Sequence, residues 1–171
     1  FRAAFEAIKA NDRDALAKLI AADKTLVNAP GTNGNRLLGL AMSFNRQNMT
    51  EDLLKAGADP NLPNNKGWTA LHQAAYAEAG HDPAARLRTL DLMIENGASP
   101  DIEAYGDGGT PLSVALFWGH EPLAERLAEL AIVPLNLRVA AGLGRLDLMQ
   151  TLFEPDGSLR PEAGFHREFH R

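Results

Sequence analysis

The sequence predicts an all-α solenoid of about five helix-turn-helix units, with short hairpin-like fingers between the units. The first observation is a repeated block, Thr69-Ala-Leu-His-Gln-Ala74, which returns as Thr110-Pro-Leu-Ser-Val-Ala115. The second is a recurring stop after an apolar helical pattern, Gly57-Ala-Asp-Pro-Asn61 and then Gly97-Ala-Ser-Pro-Asp101. These copies are 40 to 41 residues apart because of an insertion, and the basic spacing is about 33 residues. Such a period is typical of stacked repeats that cannot bury their apolar faces alone.

A small residue marks the first helix of each unit. Ala41 follows the first marker by 34 residues and Ala74 follows Ala41 by 33, after which the spacing becomes 41 and then 25. The markers are Ala7, Ala41, Ala74, Ala115 and Ala140, and the predicted units span about 2–34, 35–67, 68–108, 109–133 and 134–153. Small side chains at these positions let neighbouring helices approach closely.

The irregular spacings predict one insertion and one deletion. The third unit has about seven extra residues in Glu78–Ala84, between its two helices, so we expect an enlarged loop there. In the fourth unit, Ala131–Leu135 replaces the Gly-Ala stop, so we expect its finger to be shortened. Residues 154–171 form a turn-rich tail, which is either a cap or the start of a further, truncated repeat.

The apolar positions of the second unit predict an amphipathic helix pair. Leu37, Leu38, Leu40 and Ala41 share one face of a short helix, and the pair at 53–54 closes a second helix. Most of this apolar surface is left for neighbouring units to cover, and burying one such side chain contributes ~1.5 to 3 kcal/mol.

Helix ends are marked by the expected residues. Gly57 and Gly97 follow the second helices of two units, at a position where a left-handed backbone costs glycine nothing. Thr69 and Thr110 precede first helices and are N-cap candidates, with Pro111 at the first helical position.

The order of short helix, longer helix, glycine stop and polar finger resembles the ankyrin repeat over roughly residues 2 to 153. The resemblance implies an array that binds proteins through its concave face, made of the finger tips and the exposed positions of the inner helices. Carried onto this sequence, the implied anchors are aromatic and the implied rim is polar: Phe44, Trp68, Tyr76, Phe117 and Trp118, with Asn65, Lys66 and Asp107.

The concentration of aromatic residues at these positions supports an interaction surface, because tryptophan and tyrosine dominate binding hot spots. The alternative is that these rings pack against each other or against the inserted loop. His72, by the same resemblance, is a structural residue that ties a finger to its helix, and His120 is also structural.

Composition excludes several classes of function. The 17 Lys and Arg are scattered among 22 Asp and Glu, for a net charge of −5, which argues against nucleic-acid binding. No apolar run reaches the ~18 residues needed to span a bilayer, so we expect a soluble protein without a membrane partner. The compartment is predicted to be the cytoplasm, or the periplasm if the start at Phe1 reflects removal of a signal peptide.

The sequence offers no catalytic, cofactor or metal constellation. Cysteine is absent, and the pair His166 and His170 lacks the glutamate directly after the first histidine that a zinc protease requires. The run Gly106–Gly109 lacks the strand and lysine of a phosphate loop. We therefore predict a protein that is not an enzyme and carries no cofactor.

The predicted function is non-catalytic recognition of a protein partner by a monomer, and the helix composition is compatible with a bacterial source. One alternative is a regulatory or immunity-type inhibitor whose loop 78–84 plugs another protein's active site. Another is a self-associating structural module. Deleting the loop tests the first alternative, and light scattering at several concentrations tests the second.

Overall fold

The computed structural model describes residues 1–77, 82–106, 109–130 and 136–163, and these residues form ten α-helices and three 3₁₀ turns. Within these ranges there is no β-strand, only isolated antiparallel bridges. The predicted all-α class is therefore confirmed. The helices are α1 Arg2–Ala10, α2 Arg13–Ala22, α3 Leu37–Ser43, α4 Gln47–Lys55, α5 Ala70–Tyr76, α6 Pro83–Glu95, α7 Pro111–Phe117, α8 Glu121–Leu130, α9 Leu137–Gly142 and α10 Leu146–Thr151.

The chain divides into two compact units, Phe1–Ala131 and Ile132–Arg171. In the first unit, the inner helices α1, α3, α5 and α7 pack against one another in order. The outer helices α2, α4, α6 and α8 form a second row, each packed on the inner helix that precedes it. In the second unit α9 packs on α10. The division into five repeats remains a prediction.

Within Phe1–Ala131 the core lies between these two rows of helices. The five marker alanines are all buried, and Ala41, Ala115 and Ala140 are fully inaccessible to solvent. Leu37, Leu38 and Leu53 are also buried, as their pattern predicts. Leu40 differs from its three helix neighbours because it is half-buried and lines an open groove of about 640 Å³ beside Phe1 and Phe5.

The turn from inner to outer helix has a common geometry that starts at the marker alanine. Within Phe1–Ala131, the carbonyls of Ala7, Ala41 and Ala115 each accept a hydrogen bond from the N–H five residues later, at 2.8 to 2.9 Å. The residue just before each donor is Asn11, Asn45 or Gly119, with a φ of 59°, 52° or 69°. Asparagine and glycine tolerate this left-handed conformation, so the chain can reverse within two or three residues.

The third repeat uses a different closure. The Nη2 of Arg86 donates to the carbonyl oxygens of Ala74 and Ala77, at 3.1 and 2.6 Å. A side chain therefore satisfies the end of α5 where the other repeats use a tight backbone turn. Residues 78–81 of the predicted loop lie outside the described residues.

The predicted limits of that loop are wrong at one end. α6 begins at Pro83, so Pro83 and Ala84 belong to the helix rather than to the loop. The reason is a local start signal, because the Asp82 carboxylate accepts a hydrogen bond from the Ala84 N–H at 3.0 Å and proline suits the first helical position. α6 consequently has 13 residues, whereas α4 has 9.

Asparagine side chains join the base of one finger to the next. Asn28 donates to the Gly57 carbonyl and accepts from the Asp59 N–H, both at 2.9 Å. Asn61, 33 residues later, repeats this pattern with Gly97 and Ser99 at 2.8 Å. Gly57 and Gly97 have φ values of 91° and 85°, so the predicted left-handed stops are confirmed.

Within Ile132–Arg171, the carbonyl of Ala140 accepts a hydrogen bond from the N–H of Arg145, which closes the turn after α9. After α10, Phe153 and Leu159 form an antiparallel bridge like the Ala104–Gly109 bridge of the finger before α7. Segment 154–160 is therefore a finger-like hairpin, and whether it opens a further repeat remains a prediction. The shortened finger predicted at 131–135 and the segment 164–171 lie outside the described residues.

Candidate binding face

Four aromatic side chains form one continuous cluster, which we call the aromatic ridge: Trp68, Tyr76, Phe117 and Trp118. The rings of Trp68 and Tyr76 lie 5.5 Å apart, and those of Tyr76 and Trp118 lie 5.1 Å apart. Phe117 continues the ridge at 5.4 Å from Trp118. All three contacts are edge-to-face, the arrangement that the ring quadrupole favours by ~0.5 to 1.5 kcal/mol per pair.

The ridge lies at the ends of two inner helices. Tyr76 is the last residue of α5 and Phe117 is the last residue of α7, so the packing of α5 against α7 brings them together. Trp118 follows α7 directly, and Trp68 lies two residues before α5. The sequence prediction that these four rings share one face is consistent with this geometry.

The rings remain largely open to solvent although they contact each other. Phe117 is 77% exposed, Trp118 50% and Tyr76 46%. Trp68 is half-buried, and its ring stacks on His72 at 6.2 Å and 24°. Packing of ring against ring therefore accounts for part of the burial of Trp68 but leaves Tyr76, Trp118 and Phe117 46 to 77% exposed.

The finger beside the ridge is held in place by its neighbours. The Asn65 N–H donates to the Asn33 carbonyl and the Tyr105 N–H donates to the Lys66 carbonyl, both at 2.9 Å. Gly67 permits this approach, because a Cβ on it would lie 2.5 Å from the Tyr105 nitrogen. The side chains of Asn65, Lys66 and Tyr105 are exposed, and Asp107 lies outside the described residues.

Asn64 fixes the position of Trp68. Its Oδ1 accepts hydrogen bonds from the backbone N–H groups of Lys66 and Trp68, at 2.9 and 3.0 Å. Its Nδ2 donates to Asn35 Oδ1 at 2.8 Å, which links the finger to the preceding one. The backbone of Trp68 is thus restrained by hydrogen bonds at both its N–H and its carbonyl group.

Phe44 lies apart from the ridge in the part of the chain that the structure describes. It caps α3, is half-buried, and pairs with Phe5 of α1 at 6.2 Å between ring centroids. The position 33 residues later is Ala77, which offers no ring to bridge Phe44 to the ridge.

His72 ties the finger before α7 to α5. Its side chain is fully buried, and its Nδ1 accepts from the Thr69 N–H at 3.2 Å. Nε2 therefore carries the proton and donates to the Gly109 carbonyl at 3.1 Å. Burial lowers the pKa of His72, and the bond to Gly109 opposes that shift. The predicted structural role of this histidine is confirmed.

His120 lies against Arg86. The His120 Nδ1 and the Arg86 Nη1 are 3.4 Å apart. The pKa of His120 is lowered by burial first and by the neighbouring guanidinium second. A neutral imidazole is therefore the form that fits beside the cation that closes α5.

Comparison of the sequence with known proteins identifies a family. The family model described as ankyrin repeats (3 copies) matches residues 4–87 and residues 41–137. The chain belongs to the ankyrin repeat family.

The chain is also similar to part of several Notch proteins. Neurogenic locus notch homolog protein 4 of Homo sapiens is 35% identical over 55% of this chain. Neurogenic locus notch homolog protein 1 of Xenopus tropicalis is 34% identical over 60%, and the Notch protein of Drosophila melanogaster is 34% identical over 55%. The chain spans 3 to 4% of the length of these relatives.

Ankyrin repeats are generally protein–protein interaction modules, and the family is typically non-catalytic. Among the described residues, no three His, Asp or Glu side chains are grouped to hold a metal ion. His166 and His170 lie outside those residues. No helix in the described ranges is long and apolar enough to cross a membrane.

Two features of these ankyrin repeats were missed in the sequence. The 33-residue spacing of Asn28 and Asn61 is a signal for the ties at the finger bases, and it repeats like the marker alanines. The role of Arg86 has no comparable signal. Arg86 lies inside a lengthened helix, and only the packing of α6 on α5 brings its guanidinium to the end of α5.

Proposed function

We propose that this ankyrin array is a non-catalytic protein interaction module that binds a partner protein through its concave face. The aromatic ridge is the centre of the binding surface. The observation that carries the proposal is the exposure of three large rings, Tyr76, Phe117 and Trp118, in one contiguous cluster.

Physical reasons support a binding role over a packing role. An exposed aromatic cluster contributes little to the stability of the chain that carries it, because much of its apolar surface stays in water. The same cluster favours association, since burying Trp and Tyr against a partner gains a large area at low entropic cost. Restraint of Trp68 by Asn64 lowers that cost further.

The remaining predicted residues are proposed to form the periphery. Asn65 and Lys66 are exposed on the finger and are suited to adaptable polar contacts. Asp107 is proposed to belong to the same rim. Phe44 is proposed as a separate, weaker contact, because its ring is shared with Phe5.

The proposal is tested by affinity capture from the native source with three immobilised proteins: the chain itself, a Phe117→Ala/Trp118→Ala variant and a Phe44→Ala variant. Circular dichroism first establishes that each is folded. We expect a partner that the ridge variant loses and the Phe44→Ala variant largely retains. Retention of every partner by the ridge variant would contradict the proposal.

Self-association is a second candidate, which exposed apolar side chains in the unit Ile132–Arg171 favour. Leu146 is 64% exposed there, and Phe153 and Leu159 are 37% and 40% exposed. Light scattering over a range of concentrations tests it. A mass that rises with concentration supports self-association, and a constant monomer mass rejects it.

A further inference from the structure

Acidic residues are concentrated in one segment of the sequence that contributes to the aromatic ridge, whereas Lys66 on the neighbouring finger and Arg86 at the end of α5 are basic. Residues 1–88 contain eleven basic and nine acidic residues, whereas residues 89–130 contain eight acidic residues and a single basic one, Arg126. Segment 89–130 therefore has a formal charge of −7, and it contributes Phe117 and Trp118 to the ridge. Like charges that are grouped in this way raise the local concentration of oppositely charged partners.

Arg126 neutralises only part of this charge. Its guanidinium pairs with Asp91 at 2.9 Å and with Glu129 at 2.8 Å. Glu121 and Glu125 lie four residues apart, on one side of α8, and both are exposed. Within the described ranges, neither of these two glutamates forms an ion pair.

Glu121 lies close to the ridge because the chain between them is short. It follows Trp118 by three residues, so their Cα atoms are within ~11 Å even for an extended chain. α7 also ends at Phe117 without a basic residue in its last turn. No side chain of that turn therefore neutralises the partial negative charge at this helix end.

The rings themselves favour cations. Each edge-to-face contact covers one face of one ring and leaves the opposite face open, and an open aromatic face attracts a guanidinium or ammonium group within ~6 Å of the ring centroid. The ring centroids are only 5.1 to 5.5 Å apart, so no space remains between the rings for a bound group. A cation would therefore lie on the outer faces of the ridge. The side chains of an extended peptide segment that crosses the ridge can reach these faces.

We propose that the ridge binds a basic segment of the partner protein, with arginine side chains on the faces of Trp118 and Tyr76 and ion pairs to Glu121 and Glu125. This inference rests on the proposed function, and it adds the chemistry of the partner. Arginine suits the site better than lysine because its planar guanidinium stacks on aromatic faces and is more weakly hydrated.

The test uses three synthetic peptides of equal length, which alternate glycine with arginine, glutamine or glutamate. Binding to the intact chain is measured by the fluorescence of Trp68 and Trp118, and separately by calorimetry. We expect the arginine peptide to bind at least about tenfold more tightly than the glutamine peptide. Its affinity should fall as salt is raised, since exposed charges are screened.

Variants with the same change in charge separate the site from general attraction. We expect Glu121→Gln/Glu125→Gln to weaken the arginine peptide about threefold to tenfold, and Trp118→Ala to weaken it about tenfold. The control is Glu6→Gln/Glu95→Gln, which removes two exposed carboxylates from α1 and from the far end of α6. It should change the affinity by less than about twofold.

Other outcomes overturn the inference. Equal losses in the two glutamine pairs, with no loss in Trp118→Ala, would show unspecific charge attraction. Tighter binding of the glutamine or glutamate peptide, abolished by Trp118→Ala, would keep the ridge as a binding surface and reject a basic partner. Absence of binding by the arginine peptide would also reject it, while the proposed function would still be decided by the capture experiment.

Discussion

Two sets of side chains connect one repeat to the next, and they differ in how much of their contacting surface is exposed to solvent. The finger ties, Asn28, Asn61 and His72, direct their polar atoms at backbone groups of the next finger. The aromatic ridge joins two repeats as well, but three of its four rings are 46 to 77% exposed. The comparison indicates that the finger ties hold the array together and that the ridge is available for another molecule.

The comparison predicts the largest loss of stability at His72. His72→Ala leaves the Gly109 carbonyl and the Thr69 N–H without their partner and opens a cavity in the core. We expect the free energy of unfolding to fall by ~2 to 4 kcal/mol. Urea denaturation measures it, with Ser113→Ala at the equivalent place of the next repeat as the control. A loss under ~1 kcal/mol in His72→Ala would remove this histidine from the finger ties.

The asparagine ties are predicted to contribute less. Asn61→Ala removes two hydrogen bonds across the fingers, and we expect a loss of ~1 to 2 kcal/mol in the free energy of unfolding. Asn28→Ala should cost less than Asn61→Ala, since Asn28 is exposed and water replaces its partners more easily. The same denaturation series compares the two. A larger loss in Asn28→Ala would contradict the assignment by burial.

Acid is predicted to weaken the array through its histidines. The pKa values of His72 and His120 are lowered on folding, so the unfolded chain binds protons more readily below about pH 6.5. The free energy of unfolding therefore falls as the pH drops through that value, by at most ~1.4 kcal/mol per pH unit for each histidine. Thermal melts at pH 7.5 and 5.5 should show a smaller decrease in His120→Asn than in the parent chain. An unchanged decrease would mean that His120 is not coupled to folding.

The exposed rings of the ridge are predicted to show the smallest effect on stability. Phe117→Ala should change the free energy of unfolding by no more than ~0.5 kcal/mol, because this ring is 77% exposed. Trp118→Ala should cost ~1 kcal/mol through its edge-to-face contacts. Trp68→Ala should cost more than either, since Trp68 stacks on His72. Equal losses for Phe117→Ala and Trp68→Ala would contradict this order.

Most of the fold was predictable because its signals are local and periodic. The marker alanines, the glycine stops and the threonines before the inner helices each report a backbone requirement that the sequence states directly. The start of α6 was also signalled, by Asp82 and Pro83, in the same way as Thr110 and Pro111 mark α7. The length of the preceding insertion obscured that signal.

The ring contacts were only partly predictable. Spacing along the repeats placed Trp118 and Phe44 at equivalent positions, yet one ring joins the ridge and the other pairs with Phe5. The difference depends on the neighbouring repeat, which provides Tyr76 as the partner of Trp118. The sequence of a single repeat does not contain this information. The closure by Arg86 and the ion pairs of Arg126 also depend on the packing of helices, which no spacing rule contains.

A photocrosslinking residue at position 117 tests the central claim most directly. Phe117→p-benzoylphenylalanine keeps an exposed aromatic side chain on the ridge, and Lys18→p-benzoylphenylalanine places the same group on the exposed side of α2 as the control. Both proteins are irradiated in extracts of the native source, and covalent adducts are identified by mass spectrometry. The account predicts a protein adduct from position 117 that position 18 does not give. Identical adducts from both positions, or none from position 117, would contradict it.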